Sequence, residues 1–281
     1  MADIVITKNN GDQELFNQDK LIKSLKRSQA SEQEVERVLT HVQSRLRPGM
    51  TTGEIYSIAR KALDADKIKN PNAIRYGLKQ SVMDLGPSGF PFELFVARIY
   101  AELGYMCQTG VMVQGHCIEH EVDVLAHKGD EVICMEAKFH NEPYLKSDTK
   151  VALYVKARFD DLIGQKIKID GQYKHVTKGI LITNTNFTDN AQAYVSCMGT
   201  FSLVSWNYPE EGSLLDLIER FNLHPITTIP ELSKSDVTRL IEQGIIMCAD
   251  VTSHPGILDK LNIKKSKQQS IHETISLLCK S

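Results

Sequence analysis

The chain has 281 residues, 42% of them hydrophobic and 24% charged, with a formal net charge of -2. These values exclude a disordered chain, the length allows two or three domains, and no apolar run approaches the ~20 residues needed to span a bilayer. Charge is uneven along the chain. Residues 1–85 carry 14 basic and 11 acidic side chains, residues 86–220 carry 12 and 18, and residues 221–281 carry 7 and 6. The acidic middle argues against a broad DNA-binding face there, so a nucleic-acid grip falls to local Lys/Arg clusters or to the flanking segments. Six scattered cysteines with no C-x-x-C pair, and no secretory signal peptide, predict reduced thiols in a cytoplasmic protein. Cys107, His116, Cys117 and His120 are zinc-ligand types, but the adjacent His116-Cys117 suits a structural site poorly.

In chain order, Ile4-Val5-Ile6 reads as a strand, Lys8 to Asp12 as a hairpin turn, and Glu14-Leu15-Phe16 as the returning strand. Asn17 is suited to cap a helix carrying Leu21, Ile22 and Leu25 on one face. Ser31 with Glu34, and Thr51 with Glu54, make two capping boxes, and Asn70-Pro71 opens a fourth helix through Ile74 and Leu78. Ile6-Thr7-Lys8, Gly11, Glu14, Phe16-Asn17, Asp19-Lys20-Leu21 and Thr52-Gly53-Glu54-Ile55 resemble the ATP-cone, a nucleotide-sensing domain of ribonucleotide reductases and some transcription regulators. The resemblance spans most of residues 1–80. It implies that Lys8 and Lys20 meet phosphates, that Ile6 and Asn17 line the pocket for ATP or dATP, and that Glu14, Thr52 and Tyr56 complete it. Lys20 in the first turn of a helix fits this role, because free amides and the helix dipole favour anions there. Asn9 stands where the family often has Arg.

Gly86 to Pro91 reads as a linker. A helix follows with Phe92, Phe95, Val96, Ile99 and Leu103 on its buried stripe, flanked by Glu93. Residues 121–126 and 131–138 read as a β-hairpin, and alternation puts Glu136 and Lys138 on one face of the second strand. A carboxylate and an ammonium interrupting an apolar strand need partners. Asp123 on the neighbouring strand and a bound Mg²⁺ would match them, since carboxylate oxygens suit a hard cation that can activate water against a phosphodiester; a surface Glu–Lys pair is the plainer alternative. A helix with Val151, Leu153, Val155 and Leu162, a strand at 179–183, a helix from Asp189 to about Met198 and a strand at 201–206 complete an α/β sandwich over a mixed sheet.

Phe92-Glu93, Gly104-Tyr105, residues 120–124, Glu136-Ala137-Lys138, residues 180–183, Phe187-Thr188 and Ala191 together resemble the PD-(D/E)XK nuclease superfamily, in its Mrr-like restriction-endonuclease branch. The resemblance covers about 110 residues. It implies that Asp123 and Glu136 are metal ligands, that Lys138 positions the water or the developing charge, and that Glu93 joins through a water. The chain departs from the usual pattern in having Val122 before the first acid instead of Pro, and Glu136 where many members carry Gln. Gln165 is a further candidate for substrate contact, placed by its sequence in the following helix.

Residues 223–281 read as short helices resembling the helix-hairpin-helix segment of RecA-like recombinases, although Ser233-Lys234-Ser235 and Asn262 to Lys265 stand where that motif has glycines. Lys234, Lys264, Lys265 and Lys267 are its candidate DNA contacts. The expected whole is an α/β multidomain protein. An ATP-cone with an N-terminal hairpin occupies 1–85, a restriction-endonuclease-like sandwich 86–222 and a helical domain 223–281. The expected function is a Mg²⁺-dependent DNA endonuclease, homo-oligomeric and regulated by ATP or dATP. The alternatives are a catalytically silent nucleotide-responsive DNA-binding regulator and a structure-specific repair nuclease.

Overall fold

The computed structural model describes residues 4–8, 10–65, 70–169 and 171–279, so Asn9 lies outside the described residues. Strands β1 (Val5–Thr7) and β2 (Gln13–Leu15) pair antiparallel with Ile6 opposite Glu14. Alternation turns Ile6 inward, onto helices α1 (Gln18–Arg27), α2 (Glu32–Gln43) and α3 (Thr52–Leu63). The caps form as the sequence predicts: the Asn17 carboxamide accepts the Asp19 and Lys20 amides, and both capping boxes are reciprocal. Their inward stripes, among them Leu25, Val38, Val42 and Ala59, build the N-terminal core.

The fourth helix differs from expectation. It divides into α4 (Pro71–Tyr76) and α5 (Leu78–Met83) at Gly77, where a Cβ would stand 3.2 Å from the Arg60 guanidinium carbon. Beyond that break Leu78, Val82 and Leu85 pack with Phe92 and Phe95, in the core of the middle segment.

The middle segment begins with α6 (Phe90–Glu102), which takes in Pro91 from the expected linker. Proline is tolerated in a helix's first turn because its missing amide would have no partner there. Then follow β3 (Met106–Gln114), β4 (Glu119–Lys128), β5 (Glu131–Lys138), β6 (Lys146–Ser147) and α7 (Thr149–Leu162). After these come β7 (Lys166–Ile169), β8 (Gln172–His175), β9 (Lys178–Thr183), β10 (Asn186–Phe187), α8 (Asp189–Met198) and β11 (Ser202–Val204). Five of the strands form a mixed sheet in the order β11-β9-β5-β4-β3: β3, β4 and β5 run antiparallel, and β5, β9 and β11 parallel. α6 covers one face, where it packs on Val124, Ile133 and Met135, and α7 and α8 cover the other, on Val132, Cys134 and Leu181. This is the α/β sandwich over a mixed sheet that the sequence implies. Three features were not expected from it, the edge strand β3, the small β7–β8 hairpin and the short parallel pair β6–β10.

Helix α9 (Leu214–Arg220) closes the α6 face. The C-terminal helices are α10 (Lys234–Glu242), α11 (Cys248–Ser253), α12 (Ile257–Lys260) and α13 (Lys265–Leu278). They build a core of their own, yet Ile246 and Met247 insert into the core beneath α6. Arg98 of α6 reaches across to donate to Asp250 at 2.6 Å, while the other oxygen of Asp250 accepts the Ile246 and Met247 amides at 3.0 and 2.9 Å. One buried carboxylate therefore holds the C-terminal segment against the sheet layer. Asp250→Ala leaves two amides and the half-exposed Arg98 guanidinium without their acceptor, and is expected to destabilise the protein by about 2–4 kcal/mol, chiefly through the amides. Urea unfolding measures it, and a loss below about 1 kcal/mol would show that apolar contacts alone hold this junction.

Candidate active site and a second cleft

The β4–β5 ladder runs from the turn at Gly129 up to the pair Val124 and Met135, and there it ends. Past this point the Ala137 amide donates to the Asp123 carboxylate at 2.7 Å. The parting of the strands thus fixes Asp123 beside β5 by a backbone hydrogen bond. β5 continues to pair with β9, with Glu136 opposite Leu181 and Lys138 opposite Thr183. Val132 and Cys134 face α7, so alternation brings Glu136 and Lys138 to that same side. Glu93 sits in the first turn of α6. The group lies at the carboxyl ends of parallel strands, where open α/β sheets bind ligands.

Electrostatics knit these residues together. Burial pushes the Glu136 carboxyl up to about 7, Asp123 adds to the rise, and Arg158 and Lys138 oppose it. Burial likewise raises Glu93 to about 7, with the charges of Asp123 and Glu121 contributing. Asp123 is raised by burial against the pull of the Ala137 amide and Arg158. Burial thus disfavours ionisation of all three carboxyl groups, and the charge of Asp123 adds to the rise of Glu93 and Glu136. The donors of the site are hard oxygens. Among the described residues no cluster of three or more His, Cys, Asp or Glu is arranged to enclose a metal. Hard carboxylate oxygens are the donor type that Mg²⁺ takes.

Arg158 was not anticipated from the sequence. It projects from α7 and donates to Glu136 Oε2 at 2.6 Å and to the Glu121 carbonyl. A weak signal existed: it lies one position before Phe159 on the buried stripe of α7 and four after Tyr154, whose ring it overlies. His140, just past Lys138, was also missed. Its amide donates to the Asn184 carboxamide, which in turn donates to the His140 carbonyl, both at 2.8 Å. Its ring lies 2.9 Å from the Ser147 hydroxyl, and burial with the nearby Lys138 charge lowers its pKa.

One candidate site falls away, and one residue stands on a different element from the one expected. Cys107 lies at the opposite end of the nine-residue β3 from His116 and Cys117, and His120 bonds Asp161 at 2.8 Å, so no zinc site assembles. Gln165 lies beyond the end of α7, in the turn into β7, where its amide donates to the Leu162 carbonyl.

The N-terminal candidates also converge. Ile6, Glu14, Asn17, Lys20, Thr52 and Tyr56 line a recess of about 160 Å³, and Lys8 lines an adjoining cleft of about 570 Å³ that shares Thr52 and Tyr56. Glu14 accepts from both Lys20 at 3.0 Å and Lys8 at 3.1 Å, and these contacts hold its carboxyl below the usual range. Tyr56 stacks on Tyr76 with ring centroids 5.2 Å apart, giving the recess an aromatic wall.

Comparison with known proteins bears on this architecture. Residues 87–207 match the family of Mrr catalytic domains, described as restriction endonuclease. Residues 224–279 match the family described as AF1548-like, C-terminal. An uncharacterized protein of Archaeoglobus fulgidus is 35% identical over 158 residues, 56% of this chain and 84% of its own length. The chain belongs to the AF1548-like family. The crystal structure of AF1548, a protein of unknown function, shares 32% identity with it at a TM-score of 0.55, over 68% of this chain and 98% of that one. The MspJI restriction endonuclease in complex with a 27-mer oligonucleotide is 15% identical at a TM-score of 0.36, covering 78% of this chain and 50% of that one, too loose a likeness to argue from. This AF1548-like protein therefore carries a nuclease domain of restriction-endonuclease type. Neither the ATP-cone resemblance of the N-terminal segment nor the helix-hairpin-helix resemblance of the C-terminal one finds support in these matches, and α10 begins with a Ser233–Asp236 capping box in place of glycine-exposed amides. Among the described residues no helix is long and apolar enough to cross a membrane.

Proposed function

We propose that this AF1548-like protein is a Mg²⁺-dependent DNA endonuclease whose N-terminal segment binds ATP or dATP as a regulatory ligand. The observation that carries the reading is the convergence of Asp123, Glu136, Glu93 and Lys138 at the carboxyl ends of β5 and β9, within a segment that matches restriction endonucleases. Asp123 and Glu136 would hold the cation, with Glu93 reaching it through water. A divalent ion there supplies positive charge against the phosphodiester and acidifies water.

The chain's own groups do the remaining work. The Ala137 amide fixes one oxygen of Asp123 and leaves the other for a ligand. Lys138, on the Glu136 face and exposed, brings an ammonium to orient the attacking water and to offset charge developing on the phosphate. Arg158, which donates to Glu136 Oε2, sets a positive charge beside the carboxylates and holds Glu136 in place. A complete acid–acid–lysine set favours an enzyme over a silent regulator. Two such sites are needed to break both strands, so the active form is proposed to be a dimer or larger.

The experiment is plasmid cleavage in Mg²⁺ or EDTA, with and without ATP or dATP. Cleavage is expected in Mg²⁺ only, at a nucleotide-dependent rate. Preference for four-way junctions over linear duplex would turn the reading to a structure-specific repair nuclease.

A further inference from the structure

The larger cleft does not end on the N-terminal segment. One wall carries Lys8 and the first turn of α3 at Thr52 and Gly53, and the opposite wall carries Lys79 of α5, Pro143, Lys146 of β6 and Asn186 of β10. β6 and β10 pair with each other, Lys146 opposite Asn186, beside the sheet that bears the candidate active site. Lys79 reaches the Pro143 carbonyl at 3.3 Å, which already ties α5 to the loop leaving β5. Three lysines from separate elements therefore face one concavity. Its volume of about 570 Å³ lies within the roughly 300–1,000 Å³ usual for small-ligand sites.

The cleft adjoins the smaller recess at Tyr56, whose ring stacks on Tyr76. An aromatic-walled slot joined to a lysine-lined cleft fits a ligand with a flat ring at one end and several negative charges at the other. A DNA backbone has no counterpart for the slot. We propose that the nucleotide bridges the two segments, its ring end in the recess and its polyphosphate between Lys8 on one wall and Lys79 and Lys146 on the other.

This inference rests on the nucleotide reading given above and adds a route for regulation. The loop that contributes Pro143 and Lys146 starts immediately after Lys138 and contains His140, which is held to Asn184 beside Thr183. A ligand clamping Lys146 restrains this loop, and so the stretch of chain following Lys138. The nucleotide would then bias the active site directly, because only differential affinity for two arrangements shifts an equilibrium.

Titration of the full-length protein with ATP and with adenosine, for wild type and Lys146→Glu, tests it. Lys146 is exposed, so the substitution leaves no buried gap. The expected result is ATP affinity lowered about tenfold or more by the charge reversal, with adenosine affinity unchanged. Hydrogen exchange of residues 139–147 should slow on ATP addition in wild type and not in the variant. Equal ATP affinity in both proteins, with wild type binding ATP, would overturn the bridge and leave the nucleotide reading standing. Failure of wild type to bind ATP or dATP at all would overturn both. Lost duplex affinity with unchanged ATP affinity would assign the cleft to the DNA backbone and also overturn the bridge.

Discussion

Glu136→Gln is expected to lower Mg²⁺-dependent cleavage by about 10²–10³-fold or more while stabilising the metal-free protein above neutral pH. The amide keeps the shape of the side chain but cannot bring anionic charge to a cation. The stability effect follows from the raised carboxyl. Because burial raises the Glu136 carboxyl from its ordinary 4.5 to about 7, the folded protein holds its proton more tightly than the unfolded chain does. That contribution is fully present below the unfolded value and is lost as pH rises through about 7. Its upper bound is about 3 kcal/mol, and a realistic figure after solvent screening is on the order of 1–2 kcal/mol. Glutamine stays neutral throughout. The variant should therefore melt close to wild type at pH 4.5 and above it at pH 8, both in EDTA. Glu93 stays in both proteins and leaves a residual slope of the same sign. Cleavage at wild-type rate, or a variant less stable than wild type at pH 8, would contradict the assignment of Glu136.

Lys20→Ala is expected to weaken ATP and dATP binding about 10- to 100-fold and to remove the nucleotide effect on cleavage and on oligomer size, leaving basal cleavage in place. Lys20 stands in the first turn of α1, where the helix dipole adds to its charge, and it lines the aromatic-walled recess. Without ligand, Glu14 satisfies both Lys20 and Lys8, so an incoming phosphate competes for ammonium groups already held in place. The segment has no G-x-x-x-x-G-K-[ST] loop, so the nucleotide is expected to bind without being hydrolysed. Calorimetric titration and a phosphate-release assay measure both points. Steady ATP hydrolysis, or unchanged affinity in the variant, would contradict a sensor at this site.

Where residue type dictates geometry, the sequence carried the fold. Asn17, Ser31 and Thr51 each stop a chain direction and start a helix by accepting early amides, and all three do so here. The apolar run 132–135, broken by Glu136 and Lys138, announced both β5 and the polar face it presents. β3 was illegible because an edge strand half open to solvent carries Gln108, Thr109 and Gln114, and Gly110, at φ +61°, is a residue type that weakens a strand reading. The division of α4 from α5 falls at Gly77, where Arg60, seventeen residues earlier in sequence, packs close, a neighbour that sequence spacing does not reveal. Arg158 and His140 were missed because their importance arises from tertiary approach. Neither stands at a fixed sequence spacing from Asp123 or Glu136, and only the packing of α7 and the Asn184 staple bring them in.

The acid–acid–lysine site as a phosphodiesterase centre is tested most directly by single-turnover cleavage of supercoiled plasmid in Mg²⁺, with wild type and Asp123→Asn compared at matched DNA occupancy. Asp123 is fixed by the Ala137 amide, so the asparagine keeps its position and changes only the charge offered to the cation. The account predicts conversion to nicked and linear DNA by wild type, abolished by EDTA, with at least a 10²-fold slower rate for the variant. Equal rates for the two proteins, or no cleavage by wild type in Mg²⁺ with or without ATP or dATP, would contradict it.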